Sequence, residues 1–328
     1  MSELAKVFRG RMQGLVTHEP QPGVTYPEVL IVDAPLVPRW RVIALGIGGS
    51  LLGVITFYVF ARAFILFVVW LGWMASGRPG DLQTYGTAAA SYELPVGMLA
   101  TNLGLALLIP ISVGLVLFVH RFHPRWLHSV QPGFRWRFML SCVLLGVVVL
   151  GGVWMVSRIG QPWVFAPEQQ AAWFLLIVVL TSPLQAAAEE FFFRGYLIQA
   201  LHTTSSNSPW FGVVGSAAVF ALFHGTQNLP LFLYRFAFGV LAGVLVVKTG
   251  GLEAGIAAHV VNNVVAYGYA VLSGTVVATH AVSEIAWSEL AWSLAGFGAF
   301  AAAAIWIARR MRVATTTPGV RFGGRGEV

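Results

Sequence analysis

The chain predicts an all-α polytopic membrane protein of about eight transmembrane helices with both termini cytoplasmic. Three observations lead there. Hydrophobic residues make up 57% of the 328 residues and charged ones 10%, and the mean hydropathy is +0.75, outside the composition of a soluble domain. The apolar residues gather in runs long enough for a helix of about 20 residues to cross a bilayer. The basic residues sit between those runs in alternate loops, as the positive-inside rule requires.

Residues 1–41 read as a cytoplasmic tail. Lys6, Arg9 and Arg11 are followed by no apolar core before Arg41, so a cleavable signal peptide is not expected. Pro20, Pro22, Pro27, Pro35 and Pro38 predict an extended, aqueous segment. A transmembrane domain follows over 42–308. Its first run, Val42 to Met74, is too long for one crossing and contains Arg62; it either tilts strongly or lies along the interface after Arg62. The second runs from about Pro95 to His120 and the third from about Phe138 to Val156. The fourth, Ala171 to Ala200, is expected to bend or break near Pro183 and ends in the polar turn His202 to Pro209. The fifth, Trp210 to His224, is short for a crossing. The sixth, Leu231 to Val247, turns at Lys248, Thr249, Gly250 and Gly251 into the seventh, Leu252 to Ala270. The eighth, about Ile285 to Ala308, leads to a basic tail over 309–328.

The positive residues assign the sides. Lys6, Arg9, Arg11, Arg39 and Arg41 precede the first crossing, Arg121, Arg125, Arg135 and Arg137 follow the second, and Arg309, Arg310, Arg312, Arg321 and Arg325 follow the eighth. Alternate loops hold Arg78, Arg158 or no basic residue. Both termini are then cytoplasmic, which agrees with an even number of crossings. The net charge of +7 is spread between apolar runs, so it reports topology and contact with the lipid bilayer, and no nucleic-acid partner is expected. The single cysteine, Cys142, excludes disulfides and thiolate clusters within one chain. His120, His123 and His128, beside Arg121, Pro124 and Arg125, are expected to be interfacial and solvated. The first three crossings carry little chemistry and are expected to wrap the later ones.

Chemistry concentrates in the second half. Ala186 to Leu197 places Glu189, Glu190 and Arg194 inside a lipid-soluble run, where each bare charge costs several kcal/mol. At helical spacing Glu190 and Arg194 stack on one face and neutralise each other. Glu189 is rotated about 100° away and has no partner in its own helix. His224 ends the fifth run, four residues after Phe220, and His259 and Asn263 share a face of the seventh, with Asn262 pointing elsewhere. Counted from the cytoplasmic ends, Glu189, His259 and His224 lie about 15, 10 and 20 Å deep, which allows convergence in the cytoplasmic half of the membrane. Such a group suits hydrolysis: a buried carboxylate with an imidazole deprotonates water, and a second imidazole with a carboxamide stabilises an oxyanion. Arg235, five residues into the sixth crossing, either lines a cavity or snorkels to the outer face; its place near the end favours snorkelling.

The motif EEFFFR (Glu189, Glu190, Arg194), the pair Phe220 and His224, and His259 with Asn263 resemble, in order, the motifs of the type II CAAX prenyl endopeptidases, also called CPBP intramembrane proteases. The stretch Phe236 to Asn263, with its spaced glycines and TG turn, is similar to that family too, and the resemblance covers roughly 171–270. It implies an endopeptidase of the membrane, in a bacterial plasma membrane, with the site open to the cytoplasmic side and a membrane-anchored protein or peptide as substrate. On that pattern Glu189 is the base acting with His224 on water, Glu190 and Arg194 support it, and His259 with Asn263 stabilises the oxyanion. Glu189, His224 and His259 also make a zinc-type ligand set with room for water. The spacing lacks paired histidines one turn apart, and the mechanism with no cofactor is favoured over the zinc one. The rival readings are a non-catalytic scaffold or immunity protein and, with no internal repeat to support it, a proton-coupled transporter.

Overall fold

The computed structural model describes residues 15–31, 37–131, 133–204 and 208–319. Lys6, Arg9, Arg11, Pro35, Arg321 and Arg325 lie outside them, as does the centre of the polar turn before Pro209. Among the described residues seven helices are long and apolar enough to cross a membrane: α1 (Arg39–Ala75), α3 (Pro95–Val119), α4 (Trp136–Ser157), α5 (Ala171–His202), α7 (Leu229–Thr249), α8 (Glu253–Ser273) and α10 (Trp287–Arg310). The shorter apolar α6 (Pro209–Leu222) makes the eighth rod. Two small helices, α2 (Leu82–Ala90) and α9 (Val276–His280), lie in loops. Among the described residues there are only isolated bridges and no strand.

Exposed faces of these helices are apolar, with Leu51, Leu144, Val148 and Leu180 uncovered, because lipid replaces water as the surrounding medium. The interior is built around α5, which packs against α3 and α8 and, through its second half, against α6. In turn, α8 rests on α4, and α7 sits between α6 and α10. The first run is one continuous 37-residue helix with no break at Arg62. Pro183 lies inside the fourth helix without ending it. The departure from α geometry comes later, at Glu190–Leu197, which is π-helical; such i→i+5 segments are frequent at functional sites.

The bundle has two distinct ends. At one, the described amino-terminal segment and the segment after α10 meet: Thr317 N donates to Val24 O at 2.9 Å. The turn after α7 joins them, Val130 N donating to Gly250 O at 2.9 Å, and Arg135 grips Glu253 through Nε (2.7 Å) and Nη2 (2.5 Å). Gly250 is left-handed at φ 69, and a Cβ there would press on Ala314 O and Thr315, so only glycine closes this turn cleanly. The expected extended tail is therefore docked over 15–31: Tyr26, Val29 and Leu30 are buried, and the Tyr26 hydroxyl donates to Leu127 O. Apolar side chains between the prolines outweigh the open-chain tendency. His120 is likewise buried, 3.1 Å from the Tyr196 hydroxyl, and not solvated. Arg125 beside it pairs with Glu19 at 2.9 Å, an acid too distant in sequence to anticipate.

At the other end, Glu168 N donates to Val271 O (2.9 Å) and Asn228 N to Ser283 O (2.8 Å). Tyr92 stacks on His280 with ring centroids 3.6 Å apart. Burial raises the Tyr92 phenol and lowers the His280 imidazole from their ordinary values, so the stack is favoured as a neutral pair.

Candidate active site

Both glutamates reach His259. Its Nδ1 is 2.9 Å from Glu190 Oε1 and its Nε2 is 3.5 Å from Glu189 Oε2. A carboxylate accepts, so Nδ1 is the donor toward Glu190 and Nε2 faces the second acid. The π-helical turn begins at Glu190, where the two acids part: Glu190 toward Arg194, Glu189 toward open space.

Arg194 is fully buried, with Nη1 3.1 Å from Glu190 Oε1. None of its nitrogens makes a directed hydrogen bond among the described residues. The guanidinium lies instead against aromatic faces, 4.1 Å from the Phe220 ring centroid and 5.2 Å from that of Phe238. Ring quadrupoles stabilise such a desolvated cation. Close helix approach brings the phenyl rings in: a Cβ on Gly239 would stand 2.8 Å from the Ala217 Cβ and 3.4 Å from Arg194 Nη2.

His224 follows the last turn of α6 and is exposed. Its Nδ1 is 2.8 Å from Phe220 O; a carbonyl only accepts, so the proton is on Nδ1 and Nε2 carries the lone pair of the neutral ring. Asn263 donates to Gln185 Oε1 at 3.0 Å, Asn262 donates to Asn263 Oδ1 at 3.1 Å, and the Tyr234 hydroxyl donates to Asn262 Oδ1 at 3.3 Å. This chain fixes the Asn263 amide and leaves it one N–H to spare. Glu189, His224, His259 and Asn263 all line one cavity of about 530 Å³, a volume suited to a peptide-sized ligand.

Three residues differ from expectation. Asn262 lines this cavity too, because the space is wider than one helix face. Arg235 also lines it, Nη1 donating to Gln227 Oε1 at 2.8 Å, so it does not snorkel: the short α6 leaves cavity where lipid was expected. The cavity wall includes Tyr92, Thr279, His280 and Val282, all at the end opposite the basic loops. Gln185 was missed, although it stands one turn before Glu189 and its spacing could have flagged it.

As arranged, no three His, Cys, Asp or Glu side chains among the described residues converge as a metal-ligand set. His259 instead faces Glu190 through Nδ1 and Glu189 through Nε2.

Comparison with known proteins places this region. The family model described as type II CAAX prenyl endopeptidase Rce1-like matches residues 169–265. Over 97 residues the chain is 31% identical to the uncharacterized protein YyaK of Bacillus subtilis (strain 168), covering 28% of this chain and 32% of that protein. The chain thus spans about a third of the length of the curated relative it matches. No solved structure matches. The segment that carries both glutamates, His224, His259 and Asn263 is thus similar to the Rce1-like type II CAAX prenyl endopeptidases, and it is set within a larger helical membrane bundle.

Proposed function

We propose that the chain is an intramembrane endopeptidase that hydrolyses a peptide bond of a membrane-associated protein or peptide with water activated by Glu189. The observation that carries the reading is the joining of Glu189 and His259 at 3.5 Å on the wall of a cavity shared with His224 and Asn263. Glu189 takes a proton from water as its oxygen attacks the scissile carbonyl carbon. The carbonyl oxygen becomes an oxyanion, which the spare Asn263 N–H and an imidazolium N–H stabilise. The acid then returns its proton to the leaving nitrogen as the C–N bond breaks, giving a carboxylate and an amine. Glu190, held by Arg194, orients His259 from behind and does not touch substrate. No step runs through a metal ion.

Purified protein, incubated with a library of membrane peptides, tests this directly. Wild type should cleave, in the presence of a strong chelator as well, and Glu189→Gln should lower kcat by about 10²–10⁴. Cleavage lost on chelation would overturn the metal-free mechanism. Wild type that cleaves nothing would return the chain to the scaffold or immunity reading.

A further inference from the structure

The cavity wall reaches the end of the bundle formed by Tyr92, Thr279, His280 and Val282, and the distribution of charge says which side of the membrane that end faces. Of the fifteen described Lys and Arg residues, ten lie at the end where the two described chain segments meet, from Arg39 and Arg41 to Arg312. Only Arg78 and Arg158 lie in loops at the other end, with Arg62, Arg194 and Arg235 inside helices. By the positive-inside rule the basic end is cytoplasmic.

The cavity opens at the opposite end for a structural reason. The short α6 starts at the basic end, where the Ser208 side chain caps it, and runs antiparallel to α7, with Ala217 opposite Gly239 and Val213 opposite Gly243. Its 14 residues rise about 21 Å, some 9 Å short of a ~30 Å core. His224 therefore ends α6 below the far surface, and space remains above it. The exposed members of the wall, Tyr58, His224 and Val282, surround that space. Toward the basic end the way is closed by the buried Phe192, Tyr196, Leu197, Leu127 and Ala254.

We propose that the site is reached from the extracytoplasmic side, and that its substrate is a peptide segment presented at that surface. The substrate half of this statement rests on the hydrolytic reading above; the access half does not. With the sole cysteine, Cys142, replaced by alanine, Thr279→Cys at the cavity rim and Lys248→Cys at the basic turn report the two sides. In right-side-out membrane vesicles a membrane-impermeant maleimide should label Thr279→Cys at once and Lys248→Cys only after permeabilisation. The reverse pattern, or rim labelling that requires permeabilisation, would overturn the proposal whether or not the protein is active. In the same vesicles a cleavable peptide added outside should be hydrolysed, and rim labelling should abolish that hydrolysis. Hydrolysis restricted to permeabilised vesicles would reject the substrate half. A protein that labels as expected but cleaves nothing under any condition would reject the endopeptidase reading and leave the access route standing.

Discussion

At the residue scale the buried charges carry the sharpest consequences. Glu190 and Arg194 are both 0% exposed, and removing one partner of a buried pair costs about 3–5 kcal/mol because the other charge is stranded. Arg194→Met should therefore lower the thermal unfolding temperature in detergent strongly. Adding Glu190→Gln should recover much of it, while activity stays low because His259 loses its anchor on Nδ1. The Glu190–Arg194 pairing was legible from spacing alone, and so was the shared face of His259 and Asn263. The reach of Glu190 to His259 was not, because it spans 69 residues and depends on how α5 and α8 pack. At the rim, His280 has an imidazole pKa lowered by burial. Its folded pKa lies below its unfolded value of about 6.5, so its contribution to rim stability is fully present above that pH and is lost as pH falls toward the folded value. Hydrogen exchange over 276–286, corrected for intrinsic rates, should rise on acidification below 6.5, and His280→Gln should remove most of that dependence.

At the element scale the helices were readable to within about three residues at each end, since 20-residue apolar runs leave little choice. What spacing alone does not reveal is local geometry within a run. Pro183 carries the strongest breaking signal in the fourth crossing, yet the irregular turn falls at Glu190–Leu197, where the site's own side chains are held. Helix contact is equally hidden, and glycines test it. Gly239→Ala would push a methyl onto Ala217 and toward Arg194, so it should destabilise by about 1–3 kcal/mol. Gly268, inside α8, has open space beyond its Cβ position, and Gly268→Ala should be neutral or gain about 0.5–1 kcal/mol. Thermal unfolding of the two variants side by side distinguishes packing from helix propensity.

At the scale of the whole molecule, the polar site residues and part of the cavity wall come from different stretches of the chain. Glu189, His224, His259 and Asn263 lie within 169–265, but part of the wall comes from elsewhere: Phe57 and Tyr58 of α1, Asn102, Leu105 and Leu108 of α3, and Val282 beyond α9. The first crossings, which in sequence looked like a wrapping, are thus one side of the binding space. Their part was illegible because apolar wall residues carry the same signal as lipid-facing ones. If this division holds, changes in the wall should alter which peptides are cleaved without removing the dependence on Glu189. Tyr58→Ala and Leu105→Ala enlarge the apolar wall, and each lost side chain should shift the ratio of kcat/KM between bulky and small residues next to the scissile bond by about 10–200-fold. Competition between two peptides that differ only at that residue measures the ratio directly. A ratio unchanged in both variants, with cleavage intact, would mean that the peptide does not lie against α1 and α3, and that selectivity is set within the matched segment itself.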